Sequence, residues 1–297
     1  MENSLSLPQE KSRAEGELPR LPAARTWSLP SGAGFRLCLG GTLGYLTLVV
    51  LLPLSALFSR SAGLGVRRWW DLIRDPRVLD SLAVTFGCAA AAATVDLTLG
   101  LLASWVLVRY AFPGRRLLDA LIDLPFALPT AVAGITLATL CVPNGWIGRW
   151  LAPLGIPIAF SPLGITLAMA FVGLPLAVRS VQPVLQEMDP DEEEAAACLG
   201  AGRWTTFRRI VLPQLSPALF TAFSLSFARV IGEYGSVVFI AGNMPYKTEI
   251  LPLLVITKLE QYDYAGATAL GALSLVAAFV LLFSINLLKR RFSGERT

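Results

Sequence analysis

The sequence contains no histidine. Its absence removes the usual general base, the usual proton switch near neutral pH and the usual zinc ligand together, so imidazole chemistry is excluded. Cysteine is sparse. Cys38, Cys88, Cys141 and Cys198 stand far apart and mostly inside apolar runs, where a thiol behaves as a small hydrophobe; neither a metal cluster nor a disulfide framework follows. No GxxxxGK[ST] phosphate loop occurs, so the chain has no visible means of hydrolysing ATP by itself. No catalytic residue, cofactor site or metal site is expected. Charge is sparse too, at 15% of residues against 54% hydrophobic. The apolar residues come in long blocks rather than at alternating or helical spacing, which is a membrane composition.

Residues 1 to about 34 are rich in Pro, Glu, Ser and Arg, cannot bury enough apolar surface to order themselves, and are expected to form a disordered tail. Apolar blocks of spanning length follow at about 36–58, 80–108, 119–142, 163–184, 214–241 and 267–288, so an all-α polytopic membrane protein with six transmembrane helices is expected over 35–297. The first block is long enough for a full crossing and lacks a clear A-x-A cleavage site, which favours an uncleaved span over a signal peptide. Block two is rich in alanine, whose small side chain lets another helix come close. Block three carries Pro125 and Pro129 on one face, where each removes a backbone hydrogen bond and bends the helix. That bend reads either as a packing kink or as a feature of a pathway.

Orientation follows from the lysines and arginines in the connections. With the N-terminus inside, sixteen fall on the inner side and eight on the outer, while Arg229 lies within a span. Both termini are therefore expected in the cytoplasm. The connection between blocks one and two is a misfit, because five arginines there oppose the rule. Within it Trp69, Leu72, Ile73 and Pro76 fall on one helical face, as in a short amphipathic helix lying in the outer interface.

Between blocks four and five runs a polar stretch, DPDEEEAAACLGAGRWTTFRRIVLPQL, from Asp189 to Leu215. Asp189 suits an N-cap, Pro190 the first helical position, and Glu192 the place that closes a capping box; the further acids favour the positive end of the helix dipole. Gly200 and Gly202 permit a turn. In the second segment Trp204, Phe207 and Ile210 recur every three residues, and Pro213 is expected to end the pattern before span five. The residues alone allow two interpretations: a short helix with a flat alanine face that docks onto something, or a loop packing on its own bundle.

Glu194-Ala195-Ala196, three residues, Gly200, nine residues, Ile210, one residue and Leu212-Pro213 reproduce the EAA-x3-G-x9-I-x-LP signature at every fixed position. The chain thus resembles the permease subunits of ABC importers. The resemblance implies a type I ABC importer permease fold in the inner membrane of a bacterium. It also implies that 187–213 is a coupling loop inserting into a dimer of cytoplasmic ATPase subunits, with ATP bound by that partner. Glu194, Ala195, Ala196 and Gly200 would carry that contact.

Three stretches, 109–138, 168–196 and 226–255, resemble sulfate/thiosulfate permeases, of the T type rather than the W type. Molybdate or tungstate permeases share parts of the third stretch and remain the alternative. The resemblance implies a homologous W-type permease, an external sulfate- or thiosulfate-binding protein and surrounding lipid as partners, with no role for nucleic acid. Within span five Arg229 and Glu233 are four apart and share a helical face, so each neutralises the other. The pair either fixes helix packing or places Arg229, with backbone donors near Gly232 and Gly235, on an anion pathway. Asp96 and Asp123 are read as helix-pairing or interfacial acids.

Overall fold

The computed structural model describes residues 32–294, so the expected disordered tail lies outside the described residues but for its end at 32–34. All regular structure among the described residues is helical. The chain divides into two units, Met1–Pro53 and Leu54–Thr297. In the first, α1 (Ala33–Leu46) runs into a π-helical segment, Thr47–Leu51. That wide turn stands just before Pro53, whose missing N–H leaves a carbonyl of the preceding turn without its partner. Leu43, Leu46, Leu48 and Val49 are all exposed, as suits a helix facing lipid.

The second unit begins within α2 (Leu52–Ala62), followed by α3 (Gly65–Arg74) and α4 (Pro76–Arg109). The amphipathic helix expected in the first connection is α3. Trp69 donates its indole N–H to the Ser61 carbonyl at 2.8 Å and Leu72 packs on an apolar cluster around Val78, while Arg67, Arg68 and Arg74 are exposed. Asp75 caps α4 by accepting from the Arg77 N–H, with Pro76 in the first turn.

Block three differs from expectation. Instead of a bent span the chain makes α5 (Arg115–Ile122), α6 (Leu124–Ala127) and α7 (Thr130–Cys141). Leu128, immediately before Pro129, is extended at φ −83° and ψ 135°, the conformation that a following proline imposes, and this breaks the helix. Among the described residues five helices are therefore long and apolar enough to cross a membrane: Gly34–Ala62, Pro76–Arg109, Pro162–Glu187, Arg203–Ile231 and Tyr264–Leu287.

The centre is α8 (Pro162–Glu187), packed against α4 and against the later helix Leu212–Ile231. Alanines 89, 92 and 93 of α4 lie buried with Ile165, Ala168 and Met169 of α8, so small residues let the two backbones approach. At Gly100 an added Cβ would lie 2.8 Å from the Ala177 Cβ, which fixes glycine at the crossing. Cys88 and Cys141 are buried in the same apolar core.

After α8 come α9 (Pro190–Cys198), then the helix 203–231, whose longer α-helical part α10 is Leu212–Ile231. Block five was expected to reach 241. It stops at Gly232, and after a turn resumes as α11 (Val237–Ala241). The chain ends with α12 (Leu251–Glu260) and α13 (Tyr264–Gly294).

Candidate functional site

The polar stretch folds much as its local chemistry dictates. Asp189 accepts from the Asp191 N–H at 3.0 Å, Pro190 opens α9, and Asp191, Glu192 and Glu193 occupy its first turn. At the other end the Ala201 N–H reaches the Ala196 carbonyl at 3.0 Å and the Gly200 N–H the Ala197 carbonyl at 2.9 Å. These are the paired bonds of a Schellman stop, and they require Gly200 at φ +82°. No atom lies within 4 Å of a Cβ built there, so the demand for glycine is conformational rather than steric.

Two expectations need correction. Glu192 does not close a capping box; its carboxylate accepts from Nε2 of Gln214 in α10, a donor supplied by tertiary folding. Nor does Pro213 end the second segment. Arg203–Thr206, a π-helical segment Phe207–Val211 and α10 run on continuously, because the π turn accommodates the N–H that Pro213 lacks.

The alanine face is also two-sided. Glu194 and Ala195 are exposed, whereas Ala196 is 9% exposed and turned into its own chain. Beyond them Leu199 is 89% exposed and Trp204 72%, standing on either side of the Gly200 turn. Ile210, Leu212 and Pro213 are half-buried on the helix that carries the turn. A short capped helix and an apolar knuckle therefore project together, an unfavourable exposure for an isolated chain and a suitable one for insertion into a partner.

Sequence reasoning missed the contacts that hold α9 in place. Glu193 accepts from an Nη of Arg109 at the end of α4, and the Arg109 guanidinium lies 5.4 Å from the centre of the Trp105 ring. Arg109 is 84 residues distant in sequence, and nothing in a single chain announces that pairing.

The second candidate cluster lies at the end of α10. Arg229 donates to Glu233 at 2.8 Å, as the four-residue spacing predicts, although Glu233 stands just beyond the helix end. Glu233 is buried and accepts as well from Ser236, from both N and Oγ at 3.1 Å. The Glu233 N–H goes to the Val230 carbonyl. The backbone donors at 233 and 236, between and beside Gly232 and Gly235, are thus already engaged within the chain. Gly232 is exposed, and Gly235 packs against Thr130 of α7. Asp96 joins α4 to α10 by accepting from Ser226 Oγ, and Asp123 receives Arg179 from α8.

Residues 96–294 match the family described as "Binding-protein-dependent transport system inner membrane component". The chain belongs to that family. It is 50% identical over 263 residues to the "Sulfate transport system permease protein CysT" of Escherichia coli (strain K12), covering 89% of this chain and 95% of that one. The protein of the same description from Synechocystis sp. is 49% identical over 257 residues, covering 86% and 90%. Among solved structures the fold is similar to a bacterial ABC transporter involved in the import of the acidic polysaccharide alginate, with a TM-score of 0.72 at 16% identity over 86% of this chain and 95% of that one. The alginate transporter in complex with its pentasaccharide-bound periplasmic protein gives 0.71 at 17% identity over 86% and 94%. These structures carry the fold alone. The matched region contains the polar stretch, so α9 and its turn belong to the permease domain of an inner-membrane component and not to an appended module.

Proposed function

We propose that this chain is the T-type permease subunit of an ABC importer for sulfate, and that thiosulfate shares its pathway. The observation that carries the substrate is the 50% identity to a sulfate permease across nearly the whole of both chains. The exposed, capped helix α9 with its Leu199 and Trp204 knuckle supports the coupling role. In this reading Glu194, Ala195 and Gly200 meet a cytoplasmic ATPase dimer that binds the ATP, and Ala196 sets how closely α9 lies on its own bundle. A W-type permease completes the pathway, an external binding protein delivers the anion, and both termini face the cytoplasm. Closure of the ATPases moves the coupling helices, and the pathway opens alternately to the two sides. The chain itself performs no bond chemistry.

The test is uptake of labelled sulfate in a strain lacking its own sulfate permeases and supplied with this chain, its ATPase, the second permease and the binding protein. Sulfate uptake that thiosulfate competes for and molybdate does not is expected. Molybdate uptake without sulfate uptake would transfer the chain to the alternative substrate.

A further inference from the structure

Arg109, Trp105 and Glu193 lie outside the fixed positions of the EAA pattern, yet they fasten the coupling helix to its bundle. Trp105, beneath the Arg109 guanidinium, meets Phe207 edge-on with ring centres 5.6 Å apart. Phe207 in turn stacks on Trp204 at 5.7 Å. The contacts form a circuit from α9 to the last turn of α4, across to the start of the helix 203–231, and out to the exposed knuckle. A cavity of about 400 Å³ lies inside it, walled by Arg109, Tyr110, Ala197, Ala201 and Arg203 among others. About a quarter-turn away on the same helix, Glu192 is held by Gln214. Two consecutive carboxylates of one short helix therefore grip two different spans.

Such fastening answers a mechanical need. The nine-residue α9 buries only Ala196 among its residues, and a helix of that length is marginal without tertiary support. A push on its outer face would otherwise be absorbed by rocking about the glycine turn. The void behind it leaves room for that rocking, so direction has to come from polar and ring contacts at its rim.

We infer that the Arg109–Glu193 pair, braced by Trp105 and Phe207, is the link through which displacement of the coupling helix reaches α4. The inference rests on the docking role proposed above. Both charged groups are positioning residues: Glu193 is directed into its own chain by Arg109, whereas the neighbouring Glu194 is exposed.

The complete importer, reconstituted in proteoliposomes, provides the measurement as sulfate transported per ATP hydrolysed. Arg109→Gln and Glu193→Gln are each expected to keep the ATPase co-purifying and hydrolysing ATP while transport per ATP falls about fivefold or more. The reciprocal exchange, Arg109→Glu with Glu193→Arg, restores most of it. Transport per ATP unchanged in both single variants overturns the inference. So does a proportional fall of transport and hydrolysis that the exchange fails to repair, because that marks a contact needed only for folding. Leu199→Glu, on the outer face, addresses the docking role separately: it is expected to release the ATPase, and full retention of ATPase and uptake there counts against docking whatever Arg109 and Glu193 do.

Discussion

A side chain on Gly173 would fall onto the Asp96 carboxylate where that carboxylate meets Ser226. Three helices, α4, α8 and α10, converge at this point, with Asp96 and Ser226 fully buried. Gly173→Ala is expected to force the helices apart at a cost of about 1–3 kcal/mol, the range for overpacking. Ser226→Ala removes an interhelical bond worth about 0.6–1.7 kcal/mol in a membrane bundle and leaves the carboxyl without that partner. Both should lower the thermal midpoint of the detergent-purified importer, with Gly173→Val lower still. A wild-type midpoint in Gly173→Val would show that the approach is looser than the geometry states.

The parts of this fold legible in the sequence are those set by nearby residues. Asp189 and Gly200 bound α9 because a cap and a left-handed stop need only a few neighbours, and long apolar runs fix where spans lie. The failures are tertiary. Two prolines in block three announce a bend, and Leu128, extended before Pro129, turns it into a break; what holds the pieces in place is Arg179, which donates to Asp119 and Asp123 from 56 and more residues away. Block five looks continuous to 241, yet Glu233 captures the Ser236 N–H and turns the chain before α11. Glu192 satisfies every local rule for a capping box and goes instead to Gln214.

The broken segment yields a second prediction. Arg179 donates to Asp119 Oδ1 at 2.8 Å, to Asp123 and to Gln182 Oε1 at 2.6 Å, so one guanidinium holds both α5 and the turn before α6. All three charged side chains are more than a third exposed, which limits the stability at stake to about 1 kcal/mol or less for each pair. The sharper readout is local. Arg179→Gln should speed amide hydrogen exchange across 115–127 while leaving the buried stretch of α8 protected; Asp119→Asn alone should do less, since Asp123 still engages the arginine. Unchanged exchange in Arg179→Gln would deny the guanidinium that restraining role.

At Gly200 strain and partner contact separate cleanly. Placing an L-residue at φ +82° costs roughly 1–2 kcal/mol, less for asparagine, and no atom of this chain obstructs the added side chain. ATPase co-purification should therefore decline mildly for Gly200→Asn and further for Gly200→Ala. Gly200→Asp, the size of asparagine but charged, is expected to lose both assembly and sulfate uptake, and normal values for both would remove Gly200 from the contact.

Acid sensitivity is expected at the start of α13. The Gly266 N–H, donating to Asp263 at 2.9 Å, and then Lys258 hold the Asp263 carboxyl below its ordinary range. A carboxyl depressed by folding adds stability above its unfolded pKa, near 4, and that contribution disappears as pH falls through the lower folded value. The thermal midpoints of wild type and Asp263→Asn should therefore differ near pH 6 and converge below pH 4. A difference that stays constant down to about pH 3 would place its origin elsewhere.

Arg229 and Glu233 separate packing from passage. Removing only the arginine leaves a buried carboxylate with Ser236 as its remaining donor, and breaking one partner of a buried pair costs up to about 3–5 kcal/mol. Because the Arg229 side chain is 41% exposed, the loss should fall toward the lower end of that range. Arg229→Met is thus expected to assemble poorly, and Arg229→Met with Glu233→Leu to recover much of the assembly, since no unpaired charge remains. Uptake measured on that recovered complex decides the matter. If Arg229 offsets the charge of a passing dianion, sulfate uptake per assembled importer stays low in the double variant although its thermal midpoint returns. Full uptake there would assign the pair to packing alone and dismiss it from the pathway.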